Sequence, residues 1–260
     1  MKHHMKFSVV IPAYNEVATI AAVVGQVREH ASSIIVVDDG SVDGTAQVLA
    51  ELPVQVIRNE ANLGKAASLW RGARVAIEQG AEAIVTLDGD GQHPPHHIAS
   101  LVTVAKRYPD SIVVAARLNR RDKAPPMRRF ANKFADFWIS WAAGQRMVDT
   151  QSGFRIYPAQ AFDLVSPGPD RRTGFVLESE ILIEASHAGI RTLQIPIETI
   201  YPEDRRASHY RPLEDTWAIV RMVGGKLLRR GMNIPGLLSA LRSPAGIIAP
   251  ARLESLRNDD

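Results

Sequence analysis

The sequence predicts an α/β fold: a mainly parallel, Rossmann-like sheet flanked by helices, with a helical extension at its C-terminal end. Short runs rich in β-branched residues alternate with longer amphipathic segments through the first half of the 260-residue chain. The runs are mostly apolar, as strands are when helices cover both faces of a parallel sheet. Turn-forming and helix-capping residues follow the runs. Strands and helices in this alternation form a mainly parallel sheet.

The elements follow one another regularly up to residue 115. Buried strands are predicted over residues 7–11, 34–37, 54–57, 83–87 and 112–115, and helices between them over residues 19–29, 43–52, 65–79 and 94–107. The later elements are a helix over residues 128–143, a turn at "TQSGFRIYP", a helix over 176–188, a strand over 192–197 and helical structure from Pro212. We expect a main domain over residues 1–211 and an amphipathic helical tail over residues 212–260.

Composition limits the classes of function. With 45% hydrophobic and 23% charged residues, the chain has the composition of a globular protein. It contains no cysteine, which excludes disulfides, a thiolate nucleophile and cysteine-bound metal. No apolar run reaches the ~18 residues of a membrane-spanning helix, and the start does not resemble a signal peptide. We therefore expect a cytoplasmic protein. Nucleic-acid binding is not expected, because the five Arg-Arg pairs do not gather in one motif.

Polar clusters follow the first four predicted strands. They read "PAYNE" from Pro12, "DDGSVDGT" from Asp38, "RNEANLGK" from Arg58 and "DGDGQH" from Asp88. Each alone is compatible with an ordinary turn. In a parallel α/β sheet, however, ligands bind beyond the carboxyl ends of the strands, so the four clusters are expected to converge on one site.

Asp88 and Asp90 predict a cation site. Residues two apart in extended backbone point to the same side, and two carboxylates a few ångströms apart repel by roughly 4 kcal/mol at a protein surface. With the amide oxygen of Gln92, they form a set of oxygen ligands that suits Mg²⁺ or Mn²⁺. A zinc site at His93, His96 and His97 is the alternative, although a helix-surface or supporting role is preferred for these histidines. Glycine patterns that cradle phosphate are incomplete here.

The blocks "VVIPAYNE", "VVDDGSVDGT", "NLGKAASLWRGARVA", "LDGDGQHPP" and "DTQSGFRIYP" together resemble the family-2 glycosyltransferases of the GT-A fold. The resemblance spans about residues 6–225 and is strongest to dolichyl- and polyprenyl-phosphate sugar synthases. Two blocks depart from the family pattern: Ala115-Ala116-Arg117 stands where relatives commonly read Gly-Ser-Arg, and residues 206–209 where they read Gly-Glu-Ser-Lys. Both departures fall on the acceptor side.

The resemblance implies roles for individual residues. Those bordering the nucleotide-sugar donor would be Pro12, Tyr14, Asn15, Glu16, Asp39, Lys65, Asp88, Gly89 and Asp90. Those facing the acceptor phosphate would be Arg117, Arg128, Arg129, Ser152 and Arg155. Metal ligands would be Asp88, Asp90 and Gln92. The implied catalytic set is Asp88, Asp90, Arg117, Arg155, Asp149 and Glu180.

The implied reaction is an inverting, metal-dependent transfer of a hexose from a GDP-mannose or UDP-glucose type of donor to a polyprenyl phosphate. An ionised phosphate needs no strong general base. If the acceptor is instead a hydroxyl of a glycan or glycolipid, the candidate bases are Asp149, Glu178 and Glu180. A non-catalytic nucleotide-sugar-binding protein is the alternative from another class.

Two segments are expected to move or to bind lipid. The loop over residues 117–129 is predicted to close over the bound donor and exclude water. In the tail, Trp217, Val220, Val223 and Leu227 are predicted to share one helical face, which either packs on the core or lies on an anionic membrane surface. The second alternative places the protein peripherally at the inner face of the membrane.

Overall fold

A seven-stranded sheet organises the part of the chain that the structure describes. The structure is a computed structural model that describes residues 5–118, 126–166, 174–198 and 212–258. The strands are β1 Phe7–Ala13, β2 Ile34–Asp38, β3 Gln55–Arg58, β4 Ala83–Thr86, β5 Ser111–Ala116, β6 Arg155–Pro158 and β7 Arg191–Pro196. Their order across the sheet is β3-β2-β1-β4-β6-β5-β7, with β6 antiparallel to both neighbours and every other pairing parallel. The predicted mainly parallel α/β fold is confirmed.

Helices cover both faces of this sheet. They are α1 Ile20–Arg28, α2 Thr45–Ala50, α3 Lys65–Glu78, α4 Ile98–Arg107, α5 Pro126–Ala143, α6 Gly174–His187, α7 Pro212–Arg229, α8 Ile234–Arg242 and α9 Pro250–Asn258. Alternate residues of β1 point into two separate cores, as the twofold period of a strand requires. Val10 packs with residues of α3, α5, α6 and α7, whereas Val9 and Ile11 pack with residues of α1, α4 and α9.

Close packing fixes α3 against the sheet. A Cβ atom at Gly72 would lie 2.5 Å from Cγ1 of Val10 and 2.9 Å from Cγ2 of Val37, so only glycine permits this approach. The first residue of α3, Lys65, is thereby held beside the carboxyl ends of β1 and β4, where the polar clusters converge.

Two predicted elements differ from the structure. The residues of β6 were predicted as part of a turn, because four residues that start with arginine and end with proline carry no strand periodicity. They are nevertheless all buried between β4 and β5. The strand predicted near residues 54–57 exists as β3, but it is the edge of the sheet and is mostly exposed rather than buried.

The first helix of the tail, α7, packs on α5 and α6. Ile219, Val223 and Leu227 of α7 are at most 5% exposed and join the core formed with α5 and α6. Trp217, which was predicted to share a face with Val220, Val223 and Leu227, is 69% exposed. No helix in the described ranges is both long enough and apolar enough to traverse a bilayer. The division of the chain at residue 211 stays a prediction.

Candidate active site

The loops after β1, β2 and β4 are hydrogen-bonded to one another at the carboxyl edge of the sheet. Asn15 adopts a left-handed backbone conformation (φ 57°). Its backbone N–H donates to Ser41 Oγ, and its side-chain oxygen accepts from the backbone N–H of Val42, both at 2.9 Å. Thr19 Oγ1 donates to the carbonyl oxygen of Gly89 at 2.8 Å. Because each loop is held by another, the residues of "PAYNE" and "DGDG" form one preorganised surface.

Asp39 positions the loop that leads into α3. Its carboxylate, 3% exposed, accepts hydrogen bonds from Asn59 Nδ2 at 2.7 Å, Leu63 N–H at 2.9 Å and Gly64 N–H at 2.8 Å. Gly64, with φ 91°, immediately precedes Lys65. Asp39 was expected to border the nucleotide-sugar donor, and the structure shows that its carboxylate supports this loop.

Lys65 joins two carboxylates that lie far apart in sequence. Its Nζ atom is 2.7 Å from Asp88 Oδ1 and 3.2 Å from Glu178 Oε1. The Glu178 side chain is 1% exposed, and neither of its oxygens makes a hydrogen bond within the described residues. Lys65 is therefore the cation that compensates this buried charge.

The same contacts shift the pKa values of this pair. Burial disfavours the charge of Lys65, but the carboxylates of Asp88 and Glu178 outweigh it and raise the pKa of Lys65. Burial likewise opposes ionisation of Asp88, but Lys65 and then His93 lower its pKa well below the ordinary range. The His93 ring, 5% exposed, has Nε2 3.6 Å from Asp88 Oδ2. Lys65 and Asp88 are thus both charged at neutral pH.

Asp90 lies close enough to Asp88 to sense its charge. Burial first, and then the negative charge of Asp88, raise the pKa of Asp90, while the N–H of Gln92 partly stabilises its carboxylate by donating to Oδ1 at 3.0 Å. A carboxylate whose ionisation is disfavoured by a neighbouring carboxylate suits a site completed by a divalent cation. The chemistry of Asp88 and Asp90 thus suits Mg²⁺ or Mn²⁺, and the ligand set of Asp88, Asp90 and Gln92 stays a prediction.

A second group of contacts orders the turn before β6, residues 149–152, which we call the β6 turn. Arg117 follows β5, and its Nε and Nη2 atoms donate to the two carboxylate oxygens of Asp149 at 2.9 and 2.7 Å. Asp136 of α5 accepts from the N–H groups of Asp149 and Thr150 at 3.0 and 2.7 Å. Arg117 is thereby held at the same edge of the sheet as Asp88.

Two residues expected to face the acceptor lie inside the fold. Ser152 is fully buried and donates to the carbonyl oxygen of Ala115 at 2.7 Å. Arg155 is also fully buried, and its guanidinium donates to the carbonyl oxygens of Ser152, Thr150 and Glu178 and to Tyr157 Oη. Both side chains hold the β6 turn in place, and neither is exposed to an acceptor in this conformation.

The remaining predicted residues are spread more widely. Glu180 faces the tail, where its Oε1 atom lies 2.8 Å from Lys226 Nζ of α7. Arg129 lies near the start of α5 and is partly exposed. The side chain of Arg128, and residues 119–125 of the loop predicted to close over the donor, lie outside the described residues.

Two residues of the site, Gly153 and Asp136, were not predicted from the sequence. Gly153 borders the pair of Lys65 and Asp88 so closely that a Cβ atom there would lie 2.9 Å from Lys65 Nζ and 3.1 Å from Asp88 Oδ2. Asp136 holds the β6 turn from α5. A buried aspartate in the otherwise aromatic segment "FADFWISW" was the available signal for it, because an unpaired buried carboxylate is costly.

Comparisons with known proteins identify the family of the chain. The chain matches the family described as glycosyl transferase family 2 over residues 8–183. It is 31% identical over 215 residues to a UDP-N-acetylglucosamine–dolichyl-phosphate N-acetylglucosaminyltransferase of Methanococcus voltae, covering 75% of this chain and 85% of the relative. It is 25% identical over 208 residues to an undecaprenyl-phosphate mannosyltransferase of Micrococcus luteus, covering 76% of this chain and 85% of that protein.

Solved structures agree on the fold. The crystal structure of glucosyl-3-phosphoglycerate synthase from Mycobacterium tuberculosis, in complex with Mn²⁺, uridine diphosphate and glucosyl-3-phosphoglycerate, superposes with a TM-score of 0.61 at 22% identity. The match covers 87% of this chain and 80% of that chain. The GT-A fold expected from the sequence is thus confirmed. The chain belongs to glycosyl transferase family 2 and is a glycosyltransferase.

Proposed function

We propose that this glycosyltransferase moves a hexose from a nucleotide-sugar donor of the UDP or GDP type to a polyprenyl phosphate, with a divalent cation and with inversion at the anomeric carbon. The names of the relatives from Methanococcus voltae and Micrococcus luteus support a lipid-phosphate acceptor. The Mn²⁺ and uridine diphosphate in the solved structure support the donor and the cation.

An apolar cavity beside the β6 turn carries the proposal. It lies between α5 and α7, has a volume of about 150 Å³, and is lined by apolar residues such as Trp138 and Val223 together with Gln151 of the β6 turn. Dry apolar cavities of about this size hold a six-carbon ring, so one five-carbon isoprene unit fits. Gln151 belongs to the same turn as Asp149, the partner of Arg117, so the cavity adjoins the acceptor side of the site. A glycan without a lipid chain has no apolar group to occupy such a cavity.

The donor side supplies charge for the departing diphosphate. Asp88 and Asp90, with the amide of Gln92, would hold Mg²⁺ or Mn²⁺, which when bound supplies Lewis-acid stabilisation of the negative charge developing on the leaving group. Lys65 brings a permanent positive charge to the same edge of the sheet. The hydrogen-bonded loops after β1 and β2 would orient the nucleotide without reorganisation.

The acceptor side favours an anionic nucleophile. A lipid monophosphate has its second pKa at about 6 and is largely ionised at neutral pH, so it attacks without a strong base. Arg117 and Arg129 would orient it for in-line displacement, and Arg155 would act as a positioning residue through the β6 turn. Asp149 is already paired with Arg117, and Glu180 with Lys226. These engagements make either carboxylate a poor general base for a hydroxyl acceptor.

The lipid acceptor implies work at a membrane surface, with the chain peripheral to it. Phe130, Phe134 and Phe137 project from α5 beside the cavity and are 67%, 37% and 44% exposed. Aromatic side chains on one helix, flanked by arginines, suit the interface between headgroups and acyl chains. Sedimentation of the full chain with anionic vesicles tests this part, and unchanged sedimentation of a Phe130→Ser/Phe137→Ser variant would remove α5 from the contact.

Two adjacent glycines of α7 provide a matched test of the acceptor. Gly224 lines the cavity and Gly225 does not, and a Cβ atom at either position would meet nothing within 4 Å. Leucine at Gly224 is expected to fill the cavity and raise KM for polyprenyl phosphate about tenfold, roughly 1.4 kcal/mol of binding, without changing KM for the donor. Gly225→Leu is expected to leave both constants unchanged.

The same assay separates the alternatives. Wild-type protein is supplied with a panel of UDP- and GDP-sugars and with polyprenyl phosphate, 3-phosphoglycerate or an alkyl glycoside. Transfer to the glycoside or to phosphoglycerate, unaffected by Gly224→Leu, would favour a hydroxyl acceptor. Donor binding that is lost in Asp90→Asn, with no transfer to any acceptor, would favour the non-catalytic alternative.

A further inference from the structure

A second cluster of metal-ligand side chains lies outside the Asp88 and Asp90 pair. His96 and His97 belong to a single 3₁₀ turn, Pro95–His97, that leads into α4, and Glu198 follows β7. Nε2 of His96 is 3.1 Å from Glu198 Oε1, and Nε2 of His97 is 3.3 Å from Oε2. One ligand atom from each residue lies within 4.8 Å of the other two. His93, in contrast, points to Asp88.

The separations match the ligand shell of a small tetrahedral ion. Zinc binds histidine nitrogen and carboxylate oxygen at about 2.0–2.2 Å, which puts neighbouring ligands of a tetrahedron about 3.3 Å apart. The two distances between the histidines and Glu198 are close to this value, and each runs to a different oxygen of Glu198. One carboxylate oxygen and both imidazoles would have to draw together around the ion, and His96 and Glu198 are 57% and 53% exposed, which leaves them room to adjust.

An ordinary salt bridge explains His97 poorly. Its side chain is 14% exposed, and its buried Nε2 atom makes no well-directed hydrogen bond among the described residues. Burial first, and then the positive charge of His96, lower the pKa of His97, and Arg257 of α9 adds to this effect while Glu198 opposes it. A neutral imidazole beside a carboxylate is not an ion pair, but it presents the nitrogen lone pair that a transition metal binds.

We propose that His96, His97 and Glu198 form a site for Zn²⁺ or a similar divalent transition metal, with the fourth ligand position open to water. Two nitrogens and one carboxylate oxygen suit zinc, whereas the all-oxygen set at Asp88 and Asp90 suits Mg²⁺ or Mn²⁺. The bound ion would join the 3₁₀ turn before α4 to the segment that follows β7. Because that turn directly follows the Asp88 loop, the ion would brace the loop from its C-terminal side.

The test uses the full chain carrying His3→Ala/His4→Ala, which removes the N-terminal histidine pair as a competing ligand. Co²⁺ absorption in the visible range, displaced by Zn²⁺, reports a four-coordinate site, and calorimetry with Zn²⁺ gives its stoichiometry. One ion per chain is expected in this parent and also when Asp90→Asn is added. His96→Ala and Glu198→Gln are expected to weaken Zn²⁺ binding by about 100-fold or more. Removing a residue that only supports a metal ligand already costs up to about 100-fold in affinity, and removing a ligand itself should cost at least as much.

His30→Ala is the control, because His30 follows the end of α1 and is not part of the cluster. This variant is expected to bind Zn²⁺ as the parent does. Zinc should also raise the unfolding temperature of the parent and of His30→Ala but not of His96→Ala. His96 is exposed, so its substitution should not disturb folding. Equal Zn²⁺ affinity in the parent, His96→Ala and Glu198→Gln would overturn the proposal, and so would tight binding that disappears in Asp90→Asn.

Discussion

Replacing Lys65 with methionine removes the cation shared by Asp88 and Glu178. At an effective dielectric constant of about 20, unit charges attract by about 6 kcal/mol at the 2.7 Å separation from Asp88 and about 5 kcal/mol at the 3.2 Å separation from Glu178. Desolvation offsets most of this attraction, and removing one partner of a buried pair costs about 3–5 kcal/mol. Because Lys65 and Asp88 are 24% and 28% exposed, we expect the lower end, about 3 kcal/mol.

The loss should depend on pH in a defined direction. The lowered pKa of Asp88 contributes stability that is present above its ordinary value of 3.8 and disappears as the pH falls through the lowered pKa. The raised pKa of Lys65 contributes stability that is present below its ordinary value of 10.5 and disappears as the pH rises through the raised pKa. The difference between wild type and Lys65→Met should therefore be largest between those two values and shrink in acid.

Urea and thermal unfolding measure this difference. A loss of about 3 kcal/mol corresponds to about 6–12 °C in Tm for a chain of this size. Lys133→Met, at an exposed position of α5, should change stability by less than about 0.5 kcal/mol. Adding Glu178→Gln to Lys65→Met should recover part of the loss, because it removes the stranded carboxylate. A loss below about 1 kcal/mol near neutral pH, or one that is unchanged in acid, would refute the reasoning.

Three further substitutions test other contacts. Gly153→Ala should push the ammonium of Lys65 from its place and weaken nucleotide-sugar binding about tenfold by calorimetry, whereas Gly25→Ala, in open space on α1, should bind as wild type does. Asp136→Asn should lose hydrogen bonds to the β6 turn, costing about 2 kcal/mol in urea and raising KM for the acceptor but not for the donor; equal rises in both would contradict a role confined to the turn. Lys226→Met should destabilise the chain by about 1 kcal/mol, less at high salt, and no salt dependence would mean that its ion pairs with α6 contribute nothing.

The sequence was sufficient to predict that the loops after β1, β2 and β4 converge at one edge of the sheet. Parallel strands end at a common edge, so the polar residues after β1, β2 and β4 had to converge wherever the helices between them ran. The predicted pairing of Asp88 with Asp90 needed only local geometry. The contact of Lys65 with Glu178 joins residues more than a hundred positions apart, and no local pattern encodes it.

The acceptor half was harder to predict, because the same residue types serve binding and support. Arg155 resembles a phosphate ligand in sequence, yet three carbonyl oxygens and a tyrosine hydroxyl saturate it inside the fold. Asp39, predicted to border the donor, also holds the loop before α3. Burial decides between these roles, and burial of a charged residue follows from tertiary contacts that the sequence does not display.

The single reversed strand, β6, has a consequence for how this enzyme can diversify. A strand that runs against its neighbours begins where they end, so the chain must pass over the catalytic edge before it enters β6. Everything between β5 and β6, including Arg117, α5 and the β6 turn, is therefore one insert anchored by two central strands. On the proposed division of the site, an exchange of that insert between relatives would transfer acceptor preference as a unit, while the loops after β1, β2 and β4 would retain the donor preference.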